Sequence, residues 1–157
     1  MAFKVFISHT AHQDDLGIIN AVLQRAATLG VMCYMAQHDG QAGTSLDAKL
    51  RAQITDSDCV LVFITKQSVN SMWVQWEIGL ATALNKLVVP VIQKDVAVPP
   101  YLLGREYIPF DPADSSKTAD AVSHYLTKLK LAKDRSNAIG WLILTGLGAF
   151  ALLSKKE

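Results

Sequence analysis

Cys59-Val-Leu-Val-Phe-Ile64 is six apolar residues without a break, and Ser71-Met-Trp-Val-Gln-Trp-Glu77-Ile-Gly-Leu-Ala-Thr-Ala-Leu84 follows it with helical spacing. An unbroken apolar strand has to be covered on both faces. That is the situation of a central strand in a parallel sheet. Working outward, Phe3–Ser8, Val31–Met35 and Leu87–Ile92 read as further strands, and Tyr107–Phe110 as a short edge strand. Helical patterns fall between them at Asp15–Leu29, Leu46–Ile54 and Thr118–Leu131. Strands alternating with helices through short connections predict an α/β fold. Five strands suggest a flavodoxin-like open parallel sheet, order 2-1-3-4-5, with helices on both faces. Gly30 is placed as the residue that ends the first helix, and Thr44 or Ser45 as the cap of the second. Pro90 lacks a donor, which argues for a position near a sheet edge or an irregularity.

The 157 residues suffice for one domain with a substantial core. Lys and Arg number 15 against 14 Asp and Glu. This balance, with no basic patch interleaved with aromatics, gives no support for nucleic-acid binding. The cysteines, Cys33 and Cys59, lie in apolar runs and suit small buried hydrophobes; neither a disulfide framework nor metal-ligand spacing is present. No Walker-type loop or Gly-x-Gly-x-x-Gly occurs. Asp14-Asp15 has the position of a receiver-domain acidic pair, but the end of strand 3 reads Thr65-Lys66 where a receiver needs an Asp. The pair is therefore assigned to the first helical turn, where negative charge suits the macrodipole.

Open parallel sheets bind ligands beyond the carboxyl ends of their strands, at the switch point between strands 1 and 3. Ser8-His9-Thr10, Thr65–Ser68 and the start of the Trp73–Glu77 helix should converge there. Trp73, Glu77, Leu80 and Leu84 fall on one helical stripe expected to face the protein. A core-facing carboxylate is costly unless it is paired or lines a site, so Glu77 is the candidate catalytic group. Trp73 is either core or a ring that stacks on a ligand. Trp76 lies off the stripe and is read as packing or an assembly surface. Ser8, His9 and Thr10 either bind ribose and phosphate or serve turn and capping roles. Gly40 and Gly43 supply backbone freedom, Ser45 caps its helix or faces the cleft, and His38 is read as solvated.

Residues 138–153 contain no charge, with Lys133 and Arg135 before them and Lys155 and Lys156 after. Sixteen helical residues span roughly 24 Å, short of a ~30 Å hydrocarbon core. Ser136, Asn137 and Ser154 bring the length to the lower limit for crossing. The segment reads as a C-terminal apolar helix. It is either a membrane anchor or a helix buried against protein, and the basic residues on its near side favour a cytoplasmic domain. The division is a domain over 1–132 and a basic-flanked tail over 133–157. The chain enters a strand pattern at Phe3 without the charged and apolar regions of a signal peptide, so none is expected.

In order and spacing, four stretches resemble a TIR (Toll/interleukin-1 receptor) domain of the bacterial, NAD-cleaving kind. They are Val5-Phe-Ile-Ser8; Asp39-Gly-Gln-Ala-Gly-Thr-Ser45 with Leu50 and Ile54; Ser57–Thr65; and Ser68, Ser71 and the Trp73-x-x-x-Glu77 helix with the strand Lys86–Val91. The resemblance covers roughly residues 3–130. It implies NAD+ nucleosidase activity, giving nicotinamide and linear or cyclic ADP-ribose, of a kind bacteria use in antiphage defence. It makes Glu77 the catalytic glutamate and NAD+ the substrate, with no further cofactor or metal. Ser8, His9, Thr10, Gly43, Ser45 and Trp73 become substrate-binding candidates, and self-association through TIR domains is implied. Where the family often has a basic residue after the first strand, this chain has His9 and His12 and no Arg. The alternative is a non-catalytic TIR interaction module or a membrane-tethered adaptor working through the loop 37–44 and the adjacent helices.

Overall fold

β-Branched and aromatic runs form strands wherever helices cover both of their sides, and the computed structural model describes residues 2–10, 12–35 and 46–135 of such an arrangement. The order is β1 (Phe3–Ser8), α1 (Gln13–Thr28), β2 (Val31–Met35), α2 (Leu46–Asp56), β3 (Cys59–Ile64), α3 (Met72–Ala83), β4 (Leu87–Gln93), β5 (Ile108–Phe110) and α4 (Ser115–Arg135). Short 3-10 turns at Pro100–Leu102 and Pro112–Asp114 flank β5. All pairings are parallel, in the order β2-β1-β3-β4-β5. This is the expected flavodoxin-like order.

Side chains alternate across each strand, so β3 feeds two cores at once. Cys59, Leu61 and Phe63 join Ile18, Ile19 and Val22 of α1 and Val122, Leu126 and Leu129 of α4. Val60, Val62 and Ile64 join Leu50 and Ile54 of α2 and Val74, Ile78 and Ala81 of α3. Every residue of β3 is buried, which is why its sequence shows no alternation. Cys59 is buried, Cys33 half-buried, and both are free.

Gly30 adopts φ +70° directly after α1, as its placement at the helix end requires. Helix α1 begins two residues earlier than its apolar period indicates, because the His12 side chain caps it by accepting from the Asp14 amide at 3.3 Å. Helix α4 starts at Ser115 and runs to Arg135, longer at both ends than its apolar spacing predicts. Pro90 lies opposite Val62 of β3, while β5 joins β4 only from Val91 onward. One flank of β4 is thus without a strand partner at the residue that has no N–H to give. Among the described residues no helix is long and apolar enough to cross a membrane. The apolar segment 138–153 lies outside them, as do Gly43, Ser45 and the rest of the loop 37–44.

Candidate functional site

The carboxyl edge of the sheet is where three chain segments meet, and each delivers buried polar groups. Strand β1 ends on Ser8, which pairs in register with Val62 of β3 and is fully buried. Ser8 follows Phe6 onto the α3 side of the sheet, and there its hydroxyl donates to Oε2 of Glu77. Glu77 has no exposed surface. Burial pushes its carboxyl up to about 7, and the Ser8 hydroxyl opposes that rise by favouring the ionised form. Helix α3 holds Glu77 in place through Val74, Ile78, Leu80 and Ala81, all buried. The helix starts at Ser71, whose hydroxyl accepts from the Val74 amide at 3.3 Å.

The turn between β3 and α3 is fastened by its own side chains. The Thr65 amide donates to Ser68 Oγ at 2.7 Å, and Ser68 Oγ donates to the Phe63 carbonyl at 2.6 Å. Thr65 Oγ1 accepts from the amides of Gln67 and Ser68, both at 3.2 Å. Its own proton goes to Asp15 Oδ2 at 2.8 Å, and Thr10 Oγ1 reaches the same oxygen at 3.0 Å. Gln93, at the end of β4, accepts from the Lys66 amide at 3.1 Å. His9 is buried, with Nδ1 2.6 Å from the Thr10 carbonyl oxygen. A carbonyl only accepts, so Nδ1 carries the proton of that bond. The buried Nε2 has no hydrogen-bond partner among the described residues.

The convergence of Ser8, His9, Thr10, Thr65–Ser68 and the Glu77 helix on one edge follows the sequence reading. Trp73 does not. It is 45% exposed and meets Trp76, itself 36% exposed, edge to face with ring centres 5.9 Å apart. The buried face of α3 is Val74, Glu77, Ile78, Leu80 and Ala81, rotated from the Trp73–Leu84 stripe. Glu77 and Leu80 belong to both stripes. The one that packs on β3 and β4 places the small β-branched Val74 inward and leaves the indole at the border. Asp15 is also more than a helix-turn charge, being buried and hydrogen-bonded to two hydroxyls. The signal for it was a hydroxyl residue just beyond each of strands 1 and 3, Thr10 and Thr65, within reach of the first turn of α1. Among the described residues no group of three or more His, Cys, Asp or Glu side chains is placed to hold a metal.

A parallel 2-1-3-4-5 sheet with a buried, hydroxyl-bonded carboxylate at its carboxyl edge defines the class: a doubly wound α/β domain with a candidate site at the switch point. The TIR domain family model matches residues 5–126, and the chain belongs to the TIR domain family. None of the curated proteins matches it. Among solved structures it resembles the TIR domain of the Toll-related receptor TRR-2 from Hydra magnipapillata, at 15% identity and TM-score 0.58 over 83% of this chain and 95% of that one. It also resembles a metazoan TIR-STING receptor from C. gigas in complex with 2',3'-cGAMP, at 24% identity and TM-score 0.57. That match covers 76% of this chain and only 39% of the receptor. A third likeness is to the CMP N-glycosidase BcmB of Clostridium botulinum, at 16% identity and TM-score 0.57 over 76% of this chain and 97% of that one. At these identities the likeness is one of fold.

Proposed function

We propose that this TIR domain is an NAD+ nucleosidase of the bacterial type, with Glu77 as its catalytic carboxylate. The observation that carries the reading is Glu77 itself: a fully buried carboxyl at the switch-point edge, bonded to the Ser8 hydroxyl. The nicotinamide–ribose bond breaks with its electron pair going to the ring nitrogen, so the pyridinium leaves as neutral nicotinamide and needs no acid. The ribose is left as an oxocarbenium-like cation, which a nearby carboxylate stabilises. Water then adds to the anomeric carbon and loses a proton, giving ADP-ribose; attack by a group within the ADP-ribose gives a cyclic product instead. Ser8 helps to keep Glu77 ionised, and the buried, unpartnered His9 Nε2 suits a polar group of the ribose or the carboxamide. Because Glu77 is covered, productive binding includes displacement of its cover.

The test is nicotinamide release from NAD+ by the full chain, concentrated in solution or crowded on lipid. Glu77→Gln, of nearly equal shape, is expected to lower kcat by about 100-fold or more with the fold intact. Equal release by both proteins removes Glu77 from the chemistry. Self-association, and membrane anchoring of a cytoplasmic domain through residues 138–153, belong to the same proposal. Deleting residues 136–157 is expected to free the protein from the membrane fraction, and unchanged pelleting counts against an anchor.

A second reading, a non-catalytic TIR interaction module, is favoured by one observation. Met72, Trp73 and Trp76 are 83%, 45% and 36% exposed at the start of α3. An apolar surface of this kind suits protein contact.

A further inference from the structure

We infer that Asp15 is a positioning residue of the Glu77 site: its Oδ2 gathers the hydroxyls of Thr10 and Thr65 and so ties the segment carrying Ser8 to the turn that launches α3. Asp14 and Asp15 are neighbours in the first turn of α1, but their surroundings differ. The Asp14 side chain is 74% exposed, while Asp15 is 4% exposed. Complementing a helix macrodipole needs no burial, so Asp15 is held inside by something else. That is a pair of hydroxyl donors, at 3.0 Å from the loop after β1 and 2.8 Å from the loop after β3.

The Thr65 hydroxyl has one proton and two lone pairs, and all three are used. The proton goes to Asp15 and the lone pairs take the amides of Gln67 and Ser68. Without Asp15 that buried proton is left with Ser68 Oγ, a longer contact at 3.3 Å, and turning fully toward it misaligns the lone pairs that shape the turn. On the other side, Thr10 is two residues from Ser8, the donor to Glu77. The Ser8–Glu77 bond joins β1 to α3, so its geometry depends on the two segments staying in register. Both threonine bonds end on the same oxygen. The carbonyl oxygen of an asparagine in that place keeps both, and an alanine keeps neither.

The inference rests on Glu77 being the reacting group, and two measurements separate the claims. The first is steady-state nicotinamide release by the full chain as wild type, Asp15→Asn and Asp15→Ala. Asp15→Ala is expected to lower kcat by about tenfold or more with KM within about twofold, and Asp15→Asn to stay within about threefold of wild type. The second follows the Glu77 side-chain carboxyl by carbon-13 NMR against pH, and needs no turnover. In Asp15→Ala the midpoint is expected to rise above about 7 as the Ser8 hydroxyl loses its hold on the carboxylate, and in Asp15→Asn to stay in place. Wild-type kcat and midpoint in Asp15→Ala overturn the inference. So does Asp15→Asn failing as badly as Asp15→Ala, which points to charge, or a rise in KM alone, which points to substrate contact. If the wild type releases no nicotinamide, the NAD+ reading fails and the titration still decides Asp15. If Asp15→Ala does not fold, Thr10→Val removes one of the two ties, and an unmoved Glu77 midpoint there overturns the inference.

Discussion

At the amino ends of the strands, Asp56 and Asp58 meet lysines; at the carboxyl ends, Asp15 and Glu77 meet hydroxyls. Lys4 Nζ lies 2.8 Å from Asp56, and Lys133 Nζ lies 2.8 Å from Asp58. Asp58 also accepts from the Lys4 amide at 2.8 Å, so one carboxylate joins β1, β3 and the end of α4. The Lys86 and Lys130 ammonium groups close carbonyls at the same end, on Ser57 at 2.8 Å and Leu29 at 2.7 Å. These are partly exposed pairs that neutralise charge and fasten chain ends. At the opposite edge, serine and threonine orient the buried Asp15 and Glu77 without cancelling their charge, and the Lys66–Asp95 pair, 3.8 Å apart, is exposed. A site that must meet a cationic sugar gains from the second arrangement and loses from the first.

Crossed substitutions test this contrast most strongly. Glu77→Gln is expected to abolish nicotinamide release and to leave the chain folded. Asp58→Asn is expected to keep release and cost roughly 1–3 kcal/mol of stability, read from urea unfolding. Loss of activity in Asp58→Asn with the carboxyl edge unchanged by NMR would erase the distinction between the two ends.

The pH dependence of stability comes next in size. Burial raises Glu77 from 4.5 to about 7. Between those values the folded chain holds a proton that the unfolded chain has released, so this group's contribution falls as pH rises through that window. The full rise corresponds to roughly 3 kcal/mol. Glu77→Gln is therefore expected to be more stable than wild type at pH 8, with the gain gone near pH 4.5, as thermal unfolding at both values would show. Under the proposed mechanism, which works through the carboxylate, activity has the opposite sign: kcat/KM is expected to rise through about pH 7. A flat profile would break the link between burial and chemistry.

Ser8→Ala has the smallest expected effect. Losing the donor moves the Glu77 midpoint upward and lowers release at pH 7 by about two- to fivefold, with recovery at higher pH. A deficit that persists at pH 9 would mean that Ser8 orients Glu77 rather than tunes it.

The fold was legible because β3 reads as one apolar block and its neighbours alternate with helices; strand order followed from that pattern alone. Pro90 was legible as an irregularity, although only the late start of β5 explains it. Glu77 was legible because an acid on a core-facing helix needs a reason; topology placed Ser8 at the same edge, but its bond to Glu77, 69 positions away, was not foreseen. Trp73 was misplaced because two helical stripes share Glu77 and Leu80, and tertiary packing rather than period chooses between them. Asp15 was hidden by a sufficient local explanation, since acids are common in a first helical turn. Its role needs Thr65, fifty positions away, and no local pattern encodes that bond.

Helix α4 finishes with Lys133 on Asp58 and over the Phe3 ring, its ammonium 5.9 Å from the ring centre. The backbone therefore departs from the pole antipodal to Glu77. A partner fused at Arg135 would join the protein at the amino ends of the strands, the end remote from Glu77.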